Sequence, residues 1–115
     1  MDSKQAIECF SALAQDTRFA AFRLLVRYEP DGLPAGEVAR LLEVPHNTMS
    51  VHLAALTRAG LTLSQRHSRS IIYRANLAHV QETVQFLVRD CCGGRPEVCQ
   101  PLLDSLADCT PPPDQ

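Results

Sequence analysis

No apolar run in this 115-residue chain approaches the about 18 residues that a bilayer-spanning helix needs. The start, Met1-Asp-Ser-Lys-Gln5, lacks the apolar stretch of a secretory signal, so a cytoplasmic protein without a membrane partner is expected. Acidic residues are missing from one long stretch. Between Val44 and Gln81 there is no Asp or Glu, while Arg58, Arg66, Arg69, Arg74 and all four histidines (His46, His52, His67, His79) lie there. The stretch carries a formal charge of +4, leaving −6 for the rest of a chain whose net charge is −2. One basic segment on an acidic body is the footprint of a phosphate-contacting surface, although an unevenly charged solvated face would look the same. An even cysteine set is lacking too. Five cysteines in a reducing compartment do not fit a disulfide framework, which leaves metal or metalloid binding, redox sensing or plain burial.

What is present suits one soluble domain of ordinary size: 45% of residues are apolar, enough for a core, and 21% are charged. Ala6, Ile7, Phe10, Leu13 and Ala14 recur at helical spacing and predict a first helix over residues 3–15. Asp16 is placed to cap a second helix that carries Phe19, Phe22, Leu25 and Val26 inward and is closed by Pro30. Asp31-Gly32 signals a turn, and Pro34 suits the first turn of a short third helix with Val38, Leu41 and Leu42 on its buried face. Val44-Pro45 breaks the pattern. A fourth helix follows, with Met49, Leu53 and Leu56 inward and Gly60 at its end. The period then changes: Leu61–Ser64 alternates and Ile71–Tyr73 is β-prone, with Gln65–Arg69 as a polar hairpin tip. Asn76 can cap a fifth helix in which Leu77, Val80, Val84 and Leu87 step by three and four. That seam packs against another helix, either in its own subunit or in a second one. Gly93-Gly94 stops this helix, and the end from Thr110 to Gln115 is expected to be disordered.

A short helix, a tight turn, a second helix with a polar outer face and a basic-tipped hairpin make a winged helix-turn-helix. The class is mainly α with a small β-hairpin, as four helices, two strands and a fifth helix. Residues 1–92 form the DNA-binding and dimerisation domain and 93–115 a cysteine-containing tail. A helix about 10–12 Å across matches a major groove of similar width. His46, Asn47, Thr48, Ser50 and His52 would then reach base edges or phosphates, with His52 alternatively bracing the helix from its flank. Arg66 and Arg69 on the hairpin would meet the backbone or enter the minor groove. Arg18 is expected to make an ion pair or a helix-end contact.

Phe10-Ser-Ala-Leu-Ala-Gln-Asp-Thr-Arg18, Glu37-Val-Ala-Arg-Leu-Leu42, Thr48-Met-Ser-Val-His-Leu53, Leu56-Thr-Arg-Ala-Gly-Leu61 and Ile72-Tyr73-Arg74 together resemble the ArsR/SmtB family of metal-sensing repressors. The resemblance spans residues 5–90 and implies a homodimer joined through the first and fifth helices, bound to an inverted repeat in double-stranded operator DNA. Two departures stand out. Leu33-Pro-Ala-Gly-Glu-Val38 has no thiol where many arsenic sensors of the family place a pair, and Asn76, His79 and Glu82 do not reproduce the family's zinc spacing.

Thiols cluster instead after the fifth helix, in Asp90-Cys-Cys-Gly-Gly-Arg-Pro-Glu-Val-Cys99. Adjacent Cα atoms lie about 3.8 Å apart, short of the roughly 4.4–6.8 Å usual for a disulfide. A large soft centre therefore bridges Cys91 and Cys92 more readily than an S–S bond does. Gly93 and Gly94 permit Cys99 to return as a third sulfur, and Arg95 favours the thiolates. Three sulfurs suit pyramidal trivalent arsenic or antimony, an inducer rather than a permanent cofactor. The resemblance supports this, since family members sense arsenite through three thiolates. Cys109 as a fourth ligand would make a tetrahedral zinc or cadmium site, and Cys91 with Cys92 alone would suit methylarsenite. Cys9 is expected to be packed rather than ligating. A zinc, cadmium, lead or thiol-redox sensor of the same fold is the first rival. A thiol-dependent arsenate reductase is the second, but no phosphate-cradling loop or general acid accompanies Cys91, so no enzyme is expected.

Overall fold

The computed structural model describes residues 1–89 together with 100, 101, 104 and 105. Its elements are α1 (Ser3–Leu13), α2 (Asp16–Arg27), β1 (Leu33–Pro34), α3 (Ala35–Leu42), α4 (His46–Arg58), β2 (Thr62–His67), β3 (Ser70–Ala75) and α5 (Leu77–Arg89). Helices and hairpin follow the predicted order, and the architecture is a winged helix-turn-helix. One element goes beyond the prediction. Leu33 and Pro34 pair antiparallel with Tyr73 and Ile72, so the hairpin extends into a three-stranded sheet of order β1-β3-β2. Two residues are too few to show a strand's period, and only the partner strand reveals them.

Local chemistry sets the helix ends. Asp2 accepts from the Gln5 N–H at 2.8 Å while the Gln5 side chain accepts from the Asp2 N–H at 3.0 Å, a reciprocal capping box that opens α1. Gln15, not Asp16, caps α2, by accepting from the Arg18 N–H at 2.8 Å. Gly60 closes α4 at φ +85°, and the Leu61 N–H then donates to the Leu56 carbonyl at 3.0 Å. Asn76 opens α5 as expected: its side chain accepts from the His79 N–H at 3.3 Å and donates to the Gly60 carbonyl at 2.9 Å. One side chain thus ties the start of α5 to the end of α4.

The core gathers Phe22, Leu24 and Leu25 of α2, Val38 and Ala39 of α3, Met49, Leu53 and Leu56 of α4, Leu61 just before β2, and Ala75 of β3. Truncating any of the three α4 side chains, all fully buried, would cost about 2–5 kcal/mol. Three assignments to the core need correction. Phe19, Val26 and Leu41 are exposed. At 100° per residue, Phe19 and Val26 lie across α2 from the buried stripe of Ala21, Phe22, Leu24 and Leu25. Leu41 falls outside the Val38–Ala39 stripe of α3 in the same way. In α5, Val80 packs on the chain's own core while Leu77 and Leu87 are exposed, so the predicted seam is divided between inner and outer faces. The domain boundary at residue 92 lies outside the described residues. Within the tail, Gln100, Pro101, Asp104 and Ser105 are helical. No described helix is long and apolar enough to cross a membrane.

Candidate nucleic-acid interface

Helix α3 ends at Glu43, which holds the left-handed conformation at φ 56°, and the chain turns through Val44 and Pro45 into α4. The Val44 N–H reaches back to the Ala39 carbonyl at 2.9 Å, fixing the turn. Burial of Met49, Leu53 and Leu56 then sets the rotation of α4. At 100° per residue, the direction opposite those three is occupied by Asn47, Val51 and Arg58, with Thr48 and Ser50 on either side. His46, Asn47 and Thr48 are exposed and Ser50 is half-buried. Val51, which sequence reasoning passed over, is 66% exposed.

His52 lies on the flank. It is half-buried, and its Nδ1 stands 3.5 Å from Nη1 of Arg18. A guanidinium can only donate, so Nδ1 accepts and the ring proton sits on Nε2. Arg18 in turn donates from Nε to the Ala12 carbonyl at 2.6 Å, the helix-end contact expected of it. The chain Ala12–Arg18–His52 braces α4 against the end of α1.

The wing is β2 with β3, paired from Thr62↔Ala75 to His67↔Ser70. Its root is buried: Thr62 shares a hydroxyl contact of 2.8 Å with Thr57, whose own hydroxyl donates to the Leu53 carbonyl at 2.9 Å. Its tip is not. Arg66 and Arg69 are exposed, and Ser68 turns the chain at φ 55°. Arg74 donates from Nε and Nη2 to the two Glu29 carboxylate oxygens at 3.2 and 2.9 Å, anchoring β3 to the segment after α2. That pairing raises the Arg74 pKa further above its ordinary value. On α3, hydrogen bonds from Arg40 hold the Glu37 carboxyl below the usual range, and Glu37 raises Arg40 correspondingly.

Cys91, Cys92, Cys99 and Cys109 lie outside the described residues. Cys9 is within them and buried, with Sγ 3.2 Å from both the Ala59 carbonyl oxygen and Nε2 of His79. Among the described residues no group of three His, Cys, Asp or Glu side chains is placed to hold a metal ion.

A helix-turn-helix domain family matches residues 13–65, the span from the end of α1 through α4 into the wing. An ArsR-like transcriptional regulator from Rhodococcus sp. RHA1 superposes with a TM-score of 0.66 at 25% identity, covering 93% of this chain and 96% of that one. The chain thus has the winged helix-turn-helix fold of an ArsR-like regulator. The chain is also 28% identical over 91 residues to the transcriptional activator HlyU of Vibrio cholerae, covering 79% of the chain and 82% of HlyU. The structure of reduced HlyU superposes with a TM-score of 0.60 at 27% identity, covering 78% of this chain and 92% of that one. The homodimeric winged helix-turn-helix domain of Mb0332 from Mycobacterium bovis shares the fold, with a TM-score of 0.61 at 22% identity over 80% of this chain and 85% of that one.

Proposed function

We propose that this chain is a transcriptional regulator, a homodimeric repressor that grips an inverted repeat with its paired α4 helices and wings and is released by trivalent arsenic or antimony bound at Cys91, Cys92 and Cys99. One observation carries the DNA reading: the face of α4 opposite the core presents Asn47, Thr48 and Val51 in its first two turns, beside a wing tipped with Arg66 and Arg69. The dimer reading is supported by α1, where Ile7 is 65% and Phe10 40% exposed, apolar surface that a second subunit would cover. Two such subunits would set their recognition helices into successive major grooves roughly 34 Å apart.

The inducer reading rests on the donor set, which is sulfur alone and selects soft acceptors. The thiols follow α5 directly, and His79 of α5 touches both Cys9 of α1 and the end of α4 at Gly60. A change in α5 is therefore delivered to the interface helix and the reading helix at one junction. Typical coupling of about 1–3 kcal/mol would lower operator affinity about 5–150-fold. Titrating operator binding with arsenite, antimonite and methylarsenite, repeated with each cysteine singly replaced by serine, tests this. Release by an arsenical that disappears in Cys91→Ser and Cys92→Ser supports the reading, and operator binding indifferent to all three compounds sinks it.

A second reading has one specific support: HlyU has a structure described as reduced, which makes thiol redox sensing the natural rival. Release by an oxidant but by no arsenical would favour it. HlyU is also described as an activator, so a promoter fusion in cells decides whether occupancy lowers or raises transcription.

A further inference from the structure

We infer that Val51 is a specificity-determining contact, reading the C5-methyl group of a thymine in the major groove. The inference rests on the DNA reading above and deepens it. Val51 is the most exposed large apolar side chain among the described residues. It sits on the outward ridge of α4, one turn beyond Asn47 and beside Thr48. The fold asks for nothing apolar there, because Met49, Leu53 and Leu56 already supply the buried face. Nor does the helix favour it: a β-branched residue on a solvent face is a poorer helix former than alanine.

What valine does offer is a stiff apolar surface. In a helix its χ1 occupies one strongly preferred rotamer, so little side-chain freedom is lost on contact. The groove holds one matching group. Each base edge there displays donors or acceptors, and only thymine adds a methyl. The amide of Asn47 has the two-point pattern that pairs with adenine N6 and N7. Four residues of helix rise about 6 Å, which places the Val51 contact within about two base-pair steps of the base that Asn47 meets. The polar residues of α4 thus select hydrogen-bonding edges while Val51 selects the methyl.

The test uses the full chain. An operator is first enriched from random duplexes, then each thymine is replaced singly by deoxyuridine, which removes only the methyl. Wild-type protein should lose about three- to ten-fold in affinity at one symmetry-related thymine in each half-site and little at the others. Val51→Ala, an exposed change that leaves the core intact, should bind the parent operator more weakly by a similar factor and no longer distinguish thymine from uracil at that position. Enrichment of an operator at which Val51→Ala and wild type show the same uracil profile overturns the valine assignment and leaves the DNA reading standing. Enrichment of no sequence at all overturns the DNA reading, and this inference with it.

Discussion

Cys9 and His79, seventy positions apart, meet at 3.2 Å between Sγ and Nε2 in the junction of α1, α4 and α5. The Ala59 carbonyl, also 3.2 Å from the sulfur, can only accept, so the thiol proton points to it and His79 donates from Nε2 to the sulfur. The buried sulfur thereby has a partner for its proton and another for its lone pair. Cys9→Ala removes two contacts and leaves a small void, and should lower unfolding free energy by about 1–2 kcal/mol in denaturant titration. Cys9 should also be the slow thiol: in native protein it should resist a thiol reagent that modifies it readily after unfolding. Fast labelling of Cys9 in the folded state would contradict this packing.

Gly60 faces the same junction from the other side. Its φ is +85°, and a Cβ built on it would stand 2.8 Å from Nε2 of His79. Gly60→Ala therefore meets two separate obstacles, left-handed backbone strain of about 1–2 kcal/mol and displacement of a ring that is itself hydrogen-bonded. The variant should unfold at clearly lower denaturant. Pairing it with His79→Ala should recover part of the loss, because the smaller side chain removes the collision but not the strain.

The Glu29–Arg74 bridge is bidentate yet half in water, its side chains 37% exposed on Arg74 and 20% on Glu29. Such a partly solvated pair stabilises only slightly, well below what a buried one contributes. A double-mutant cycle with Glu29→Gln and Arg74→Gln should return a small coupling that falls as salt is added. Its main effect is to orient the wing, so Arg74→Lys, which cannot grip both oxygens at once, should weaken operator binding more than it weakens folding.

Glu37 carries the acid-side signature of α3. Its carboxyl is depressed below 4.5, chiefly by hydrogen bonds from Arg40. A depressed carboxyl adds stability above its unfolded value and loses that contribution as pH falls through the folded one. NMR titration should place Glu37 below the ordinary glutamate range, and Arg40→Gln should return it toward that range. Arg40 is well exposed and Glu37 partly so, which leaves the pair screened by water, so the variant should leave neutral-pH unfolding almost unchanged.

The helix-turn-helix was legible because Met49, Leu53 and Leu56 repeat at helical spacing between Pro45 and Gly60, signals that act within one element. The strand at Leu33–Pro34 was not, since its evidence lies in Tyr73 and Ile72. Val51 escaped notice for a related reason. A search for hydrogen-bonding side chains skips valine, and its exposure appears only once the core residues fix the rotation of α4. His79 was considered as part of a zinc pattern it does not complete, whereas its contacts with Cys9 and Gly60 join three elements that sequence spacing does not connect.

The wing arginines offer a test of DNA contact and dimerisation together. Each phosphate neutralised by a side chain contributes about −0.9 to the slope of log affinity against log salt concentration on duplex DNA. In a dimer one substitution removes the contact twice, so Arg66→Gln or Arg69→Gln should each flatten the slope by about 1.8 rather than about 0.9. A phosphate contact carries no base information, so the loss should be nearly uniform across operator variants. Asn47→Ala should behave in the opposite way, leaving the salt slope intact while relaxing preference at one base pair of each half-site. A wing substitution that flattened the slope by about half the expected amount would place only one subunit's hairpin on the DNA. One that left the slope untouched would take that arginine off the phosphate backbone and make the exposed tip of the hairpin ordinary solvated surface.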